Sequence, residues 1–172
     1  ALIVGGLLGW SNGFVITKFN VPPFVATLAM LTIARGFTML YTKGQPISNL
    51  GSQFAFIGAG SFIGIPVPVW IAVVVVSVAV LITRQTRLGR YIYAIGGNET
   101  AARFSGINIS KVKMIVYSLA GAMAAIGGII VTSRLDSAQP NAGGSYELDA
   151  IAAVVIGGTS LSGGRGTILG TV

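Results

Sequence analysis

Two apolar runs without a single charge, Pro66 to Thr83 and Met114 to Thr132, flank a basic stretch from Arg84 to Lys113. About 20 apolar residues are needed for a helix to cross a bilayer, and both runs reach that length with little help from their flanks. Six of the chain's 11 Lys and Arg lie between them (Arg84, Arg87, Arg90, Arg103, Lys111, Lys113), against one acid, Glu99. Positive loops between spans face the cytoplasm. The first run therefore runs from outside to inside and the second returns. With that orientation Tyr41–Gly64 lies outside and Lys18 inside.

Composition agrees. Hydrophobic residues make up 53% of the chain and charged residues 9%, whereas soluble domains carry about 25% charged residues. A net charge of +7 would point to nucleic acid in a soluble chain. Phosphate binding needs a basic face rather than one loop, so nucleic acid is excluded as a partner. The sequence holds no Cys and no His, which removes thiol nucleophiles, disulfides, His proton relays and the usual zinc sites. The four acids, Glu99, Asp136, Glu147 and Asp149, all lie outside the middle of the apolar runs. Without an initial Met, and ending in an apolar Gly-rich segment, the chain reads as an internal part of a longer protein. Its first residues lack the charged region and cleavage pattern of a signal peptide.

Along the chain, Ala1–Thr17 carries no charge but is interrupted by Ser11-Asn12-Gly13, which predicts a truncated or broken span. Pro22-Pro23 can start the next helix but not continue the last. The run from Val21 to Tyr41 is long enough to cross and contains Arg35 in its outer half. Two readings of Arg35 stand: a side chain that reaches the interface, or one facing a polar pathway. Thr42-Lys-Gly-Gln-Pro46 reads as a turn, and Phe54–Gly64 as a re-entrant or interfacial piece too short to span. Tyr91 and Tyr93 read as interfacial belt residues. In Met114–Thr132, Gly121, Ala122, Ala124, Ala125, Gly127 and Gly128 predict a packed inner helix, because small residues let backbones approach. Ala150–Ile156 is too short to cross alone and runs into the Gly-rich stretch 157–166. That predicts a half-helix broken by a loop, tolerated at membrane depth only when buried in protein or lining a cavity. The fold class is all-α, a polytopic transmembrane bundle with re-entrant or broken half-helices.

Within the basic loop, Asn98 to Gly106 carries a helix signal. Asn98 can cap it, Glu99 and Arg103 suit the two ends of the helix dipole, and Gly106 suits the position past the end. Ala101, Phe104 and Ile107 form an apolar stripe. This is either an ordinary solvated loop helix or a docking helix that transmits motion from a partner. The stretch Gly158-Thr-Ser-Leu-Ser-Gly-Gly-Arg165 lacks the Gly-Lys-Ser/Thr of a phosphate loop, so nucleotide binding by this chain is rejected. Gly5/Gly9, Gly60/Gly64 and Gly166/Gly170 are candidate helix contacts, although 25 glycines make chance matches common. Asn98-Glu-Thr and Asn108-Ile-Ser match the glycosylation pattern by chance, since both face the cytoplasm. Glu147 and Asp149 read as capping and charging the N-terminus of the half-helix, or as facing a substrate path beside a broken helix.

Gly89 to Asn108, together with Asn20-Val-Pro-Pro-Phe-Val-Ala-Thr-Leu28, Thr32-Ile-Ala-Arg-Gly36, Gln139-Pro-Asn-Ala-Gly143 and Tyr146 to Gly166, resembles the permease subunits of bacterial ABC sugar importers, the ribose type most nearly. The resemblance covers nearly the whole chain. It implies one transmembrane permease domain over residues 1–172 that lacks both ends of the parent protein, with 84–113 as a cytoplasmic loop holding the coupling helix. That role passes to Asn98, Glu99, Thr100, Ala101, Ala102, Arg103, Phe104, Ser105 and Gly106. The implied partners are cytoplasmic ATPase subunits that carry ATP and Mg²⁺, a second permease chain, a periplasmic sugar-binding protein and the inner membrane. No cofactor or catalytic residue is expected in this chain. Asn12, Arg35, Tyr146 and Glu147 are the candidates for the substrate pathway. A secondary transporter or channel, and a purely structural subunit, are the competing classes; ion-coupled carriers usually place acids inside the membrane, and no span here holds one mid-run.

Overall fold

The computed structural model of the chain describes residues 1–160 and 163–171. In chain order the elements are helices α1 (Leu2–Phe19) and α2 (Pro23–Thr42), strand β1 (Ile47–Ser48), helix α3 (Ser52–Ala59), strands β2 (Ser61–Phe62) and β3 (Ile65–Pro66), helices α4 (Val67–Gln85), α5 (Arg87–Gly97), α6 (Glu99–Phe104) and α7 (Ile109–Leu135), strand β4 (Ser137–Ala138), and helices α8 (Tyr146–Ile156) and α9 (Ile168–Thr171). The expected all-α polytopic architecture is the one observed. Helices α1, α2, α4 and α7 are long and apolar enough to cross a membrane. Three of these four place a cation in the last turn, Lys18, Arg84 and Arg134, where the helix dipole favours positive charge. Helix α2 begins on Pro23, whose fixed φ suits a first helical position.

The chain forms two compact units: Ala1–Trp70 with Lys113–Gly143, and Ile71–Val112 with Gly144–Val172. In the first unit α1 lies against α7 through glycines. A Cβ added at Gly5 would lie 2.7 Å from Ala125 Cβ, one at Gly9 would lie 3.0 Å from Ser118 Cα, and one at Gly13 would lie 2.8 Å from Met114 Cα. Ascending α1 thus meets descending α7, an antiparallel pair, so Lys18 and the start of α7 share one end. The packing expected of α7 is thus found on one face only: Gly121 and Ala125 meet α1, whereas Ala124 is exposed and Gly127 and Gly128 have open space around them.

The Ser11-Asn12-Gly13 interruption does not break α1, contrary to expectation. Ser11 Oγ donates to the Leu7 carbonyl at 2.9 Å and Thr17 Oγ1 to the Gly13 carbonyl at 2.8 Å, so these hydroxyls satisfy themselves on their own helix. Gly13 is required by α7 rather than by a bend. Of the paired glycines, Gly5 and Gly9 make a real helix contact. Gly60 and Gly64 do not: Gly64, at φ +74°, turns the β2–β3 hairpin. Gly166 lies outside any helix, so the third pair is no helix contact either.

At the opposite end of the α1–α7 pair, β1 pairs antiparallel with β4, Ile47 opposite Ala138 and Ser48 opposite Ser137. The loops 43–66 and 136–143 are thereby tied together. Ser133 clamps α3 to α7. The Gly58 N–H donates to its Oγ at 2.7 Å, and the hydroxyl donates to the Phe54 carbonyl. Eight residues long, α3 is the short non-spanning piece anticipated at 54–64.

In the second unit, Gly89 forms the corner between α4 and α5: its added Cβ would lie 2.6 Å from the Thr83 carbonyl carbon. Helix α8, 11 residues or about 16 Å at 1.5 Å per residue, is too short for a hydrocarbon core of about 30 Å. The chain turns at Gly157-Gly158, Gly158 at φ +76°. A Cβ at Gly157 would lie 2.9 Å from Thr171 Cα, so α9 packs back on the end of α8. This is the broken half-helix expected from the Gly-rich stretch; Leu161 and Ser162 of that stretch lie outside the described residues.

Candidate functional site

The basic stretch is not an open loop. Each of its helices starts on a polar side chain that satisfies a backbone N–H the helix cannot. Thr86 Oγ1 accepts from Gly89 N at 3.3 Å at the head of α5. Asn98 Oδ1 accepts from Ala101 N at 2.9 Å at the head of α6. Asn108 Oδ1 accepts from Lys111 N at 3.0 Å at the head of α7. The two glycosylation-like triplets are thus helix starts, and α7 begins early enough to carry Lys111 and Lys113 on its first turns.

Helix α5 is the element that sequence reasoning missed. Its signal was present: Leu88, Ile92 and Ile95 recur at i, i+4 and i+7, and with Gly89 and Gly96 they form the covered side, while Arg87, Arg90, Tyr91, Tyr93 and Ala94 are exposed. Arginines and belt-like tyrosines drew attention away from that period.

Asn98 ends α5 and starts α6: its N–H donates to the Ala94 carbonyl at 3.1 Å while its side chain caps α6. Helix α6 closes with a Schellman pair, Ile107 N to the Ala102 carbonyl at 3.1 Å and Gly106 N to the Arg103 carbonyl at 3.0 Å, with Gly106 at φ +82° as expected for the residue past a helix end. Arg103 and Glu99 approach to 4.0 Å one turn apart, a weak exposed pair.

The six-residue helix is therefore fixed at both ends, and what it presents is apolar. Phe104 is 87% exposed and Ala101 beside it is exposed, while Ile107 is half-buried. The residue packed inward is Ala102, 4% exposed, not a member of the expected stripe. Glu99, Thr100, Arg103 and Ser105 are exposed as well. A large aromatic ring held out on a turn capped at both ends has the chemistry of an interface anchor.

The pathway candidates fall into separate places. Asn12 is half-buried on α1 and Arg35 exposed on α2, both in the first unit. Arg35 lies seven residues before the end of α2, about 10 Å by helical rise. Tyr146 and Glu147 are neighbours on the first turn of α8 in the second unit, and both are exposed. Glu147 and Asp149 charge that turn, but they do not cap it: Ser145, at φ +72°, holds the cap position without a side-chain bond.

With this geometry in view, comparison with known proteins is specific. Residues 1–172 match the family described as branched-chain amino acid transport system / permease component. The chain belongs to this family. It is 54% identical over 175 residues to the ribose import permease protein RbsC of Haemophilus influenzae, covering 99% of this chain and 54% of that protein. It is 56% identical over 163 residues to the ribose import permease protein RbsC of Bacillus subtilis, covering 94% of this chain and 51% of that one. It is 39% identical over 171 residues to the D-allose transport system permease protein AlsC of Escherichia coli, covering 99% and 52%. The chain thus spans about half the length of the curated relatives it matches. No solved structure matches it. Family membership and four spanning-length helices make it a multi-pass chain of the bacterial inner membrane.

Proposed function

We propose that this chain is the central part of a permease subunit of an ATP-driven importer for ribose or a similar monosaccharide. Its basic stretch faces the cytoplasm, and Asn98–Gly106 docks on an ATPase subunit that holds ATP and Mg²⁺. A second permease chain completes the pathway, and a periplasmic binding protein delivers the sugar. The chain itself does no chemistry. It alternates between outward- and inward-open forms as ATPase closure moves the docking helix.

The observation that carries this reading is the exposed Phe104 on a helix fixed at both ends within the segment richest in positive charge. A loop helix with no partner gains nothing from holding an aromatic ring in water. Similarity to ribose import permeases over nearly the whole chain supports the substrate class. Apolar spans carry little stereochemical information, so selection among sugars falls mainly to the binding protein.

The test is ATP-driven ribose uptake by the full-length permease reconstituted with its ATPase and binding protein. Uptake should require ATP and should be lost in Phe104→Asp. Uptake that proceeds without ATP, driven by an ion gradient, would overturn the reading in favour of a secondary transporter.

A further inference from the structure

Helix α6 is joined to α5 by one residue, Asn98, whose backbone and side chain are both engaged. Whatever moves α6 therefore moves the end of α5. That end carries two contacts on one face, three residues apart and hence neighbours on the helix surface. The Tyr93 hydroxyl donates to the Gly166 carbonyl at 3.0 Å. A Cβ added at Gly96 would lie 3.0 Å from Gly164 Cα, and one at Gly164 would lie 2.9 Å from Gly97 Cα. Backbone meets backbone along this seam, with no side chain between to absorb a displacement. Gly163 and Gly164, at φ +88° and +76°, adopt the left-handed conformation that brings the loop flat against α5. The same loop leads directly into α9, which packs on α8 through Gly157.

We infer that Tyr93 and Gly96 form a latch through which the docking helix acts on the re-entrant pair α8–α9. This rests on the docking role proposed above. Tyr93 is a positioning residue: it touches neither sugar nor ATPase but holds the Gly-rich loop in register with α5. The polar head of α8, with Tyr146, Glu147 and Asp149, lies at the far end of the half-helix that this latch controls.

The experiment uses the full-length permease assembled with its ATPase and binding protein in proteoliposomes, and reads sugar moved per ATP hydrolysed. Tyr93→Phe removes only the hydroxyl. ATPase association should be unchanged, while the coupling ratio falls about fivefold, the scale of one net hydrogen bond. Tyr91→Phe, two residues away and exposed, should leave the ratio unaltered. Gly96→Ala should lower it further; if that variant does not assemble, Tyr93→Phe alone decides. A wild-type ratio in Tyr93→Phe with the ATPase bound overturns the latch and leaves the docking reading intact. Failure of the unaltered permease to bind any ATPase overturns both, and is seen before Tyr93 is changed.

Discussion

Ser133→Ala should loosen α3 from α7, and the structure sets the size of the effect. Ser133 is 1% exposed, and its hydroxyl engages the Gly58 N–H and the Phe54 carbonyl, the two groups that an i to i−4 helical bond would join. Both groups lie within the continuous helix α3, so loss of the hydroxyl costs about one net hydrogen bond, roughly 0.5–1.5 kcal/mol. Thermal unfolding of the purified full-length permease in detergent should show a midpoint lower by several degrees. Hydrogen exchange should localise faster opening to residues 54–59. An unchanged midpoint with unchanged protection in α3 would refute the clamp.

Three further outcomes are expected. Gly9→Val should destabilise the protein by roughly 2–3 kcal/mol through overpacking, because its side chain would meet the α7 backbone at Tyr117 and Ser118; unfolding in detergent measures it, and Gly6→Val, at a position with open space, is the control. Asn98→Ala should destabilise α6 by about 1 kcal/mol through loss of its cap, seen as faster amide exchange at Ala101 in the full-length protein. A Cys placed at exposed Thr100 should react with an impermeant maleimide only from the cytoplasmic side; labelling from the periplasm would overturn the orientation.

The long spans were legible because hydropathy over about 20 residues is a strong signal, and the α6 caps because Asn98, Glu99, Arg103 and Gly106 each obey a local rule. Helix α5 escaped because its apolar period is short and overlaid with arginine and tyrosine. The α1 interruption misled because Ser11 and Asn12 resemble breakers, while the reason for Gly13 lies on α7, about a hundred residues away in sequence. The same holds for Ser133: a lone serine near a helix end has no local signature, and its role exists only once α3 folds back on it. At the candidate site, the composition of α6 could be read directly, and so could most of the face it presents: Ala101 and Phe104 of the expected stripe are exposed. That Ile107 is half-buried and Ala102 turned inward could not, since that depends on what α6 packs against.

Binding of an ATPase to the α6 surface is read out by a quantitative pull-down of the ATPase with the full-length permease. Phe104→Asp is a better probe than Arg103→Glu. Arg103 also faces Glu99 and the helix C-terminus, so reversing its charge disturbs α6 itself, whereas Phe104 is 87% exposed and can be changed with little loss of internal contact. Stoichiometric ATPase is expected on the unaltered permease, and at least a tenfold weaker association with Phe104→Asp, about 1.4 kcal/mol or more for an aromatic anchor, with membrane insertion unchanged. Equal ATPase recovery with both proteins would contradict binding at the α6 surface.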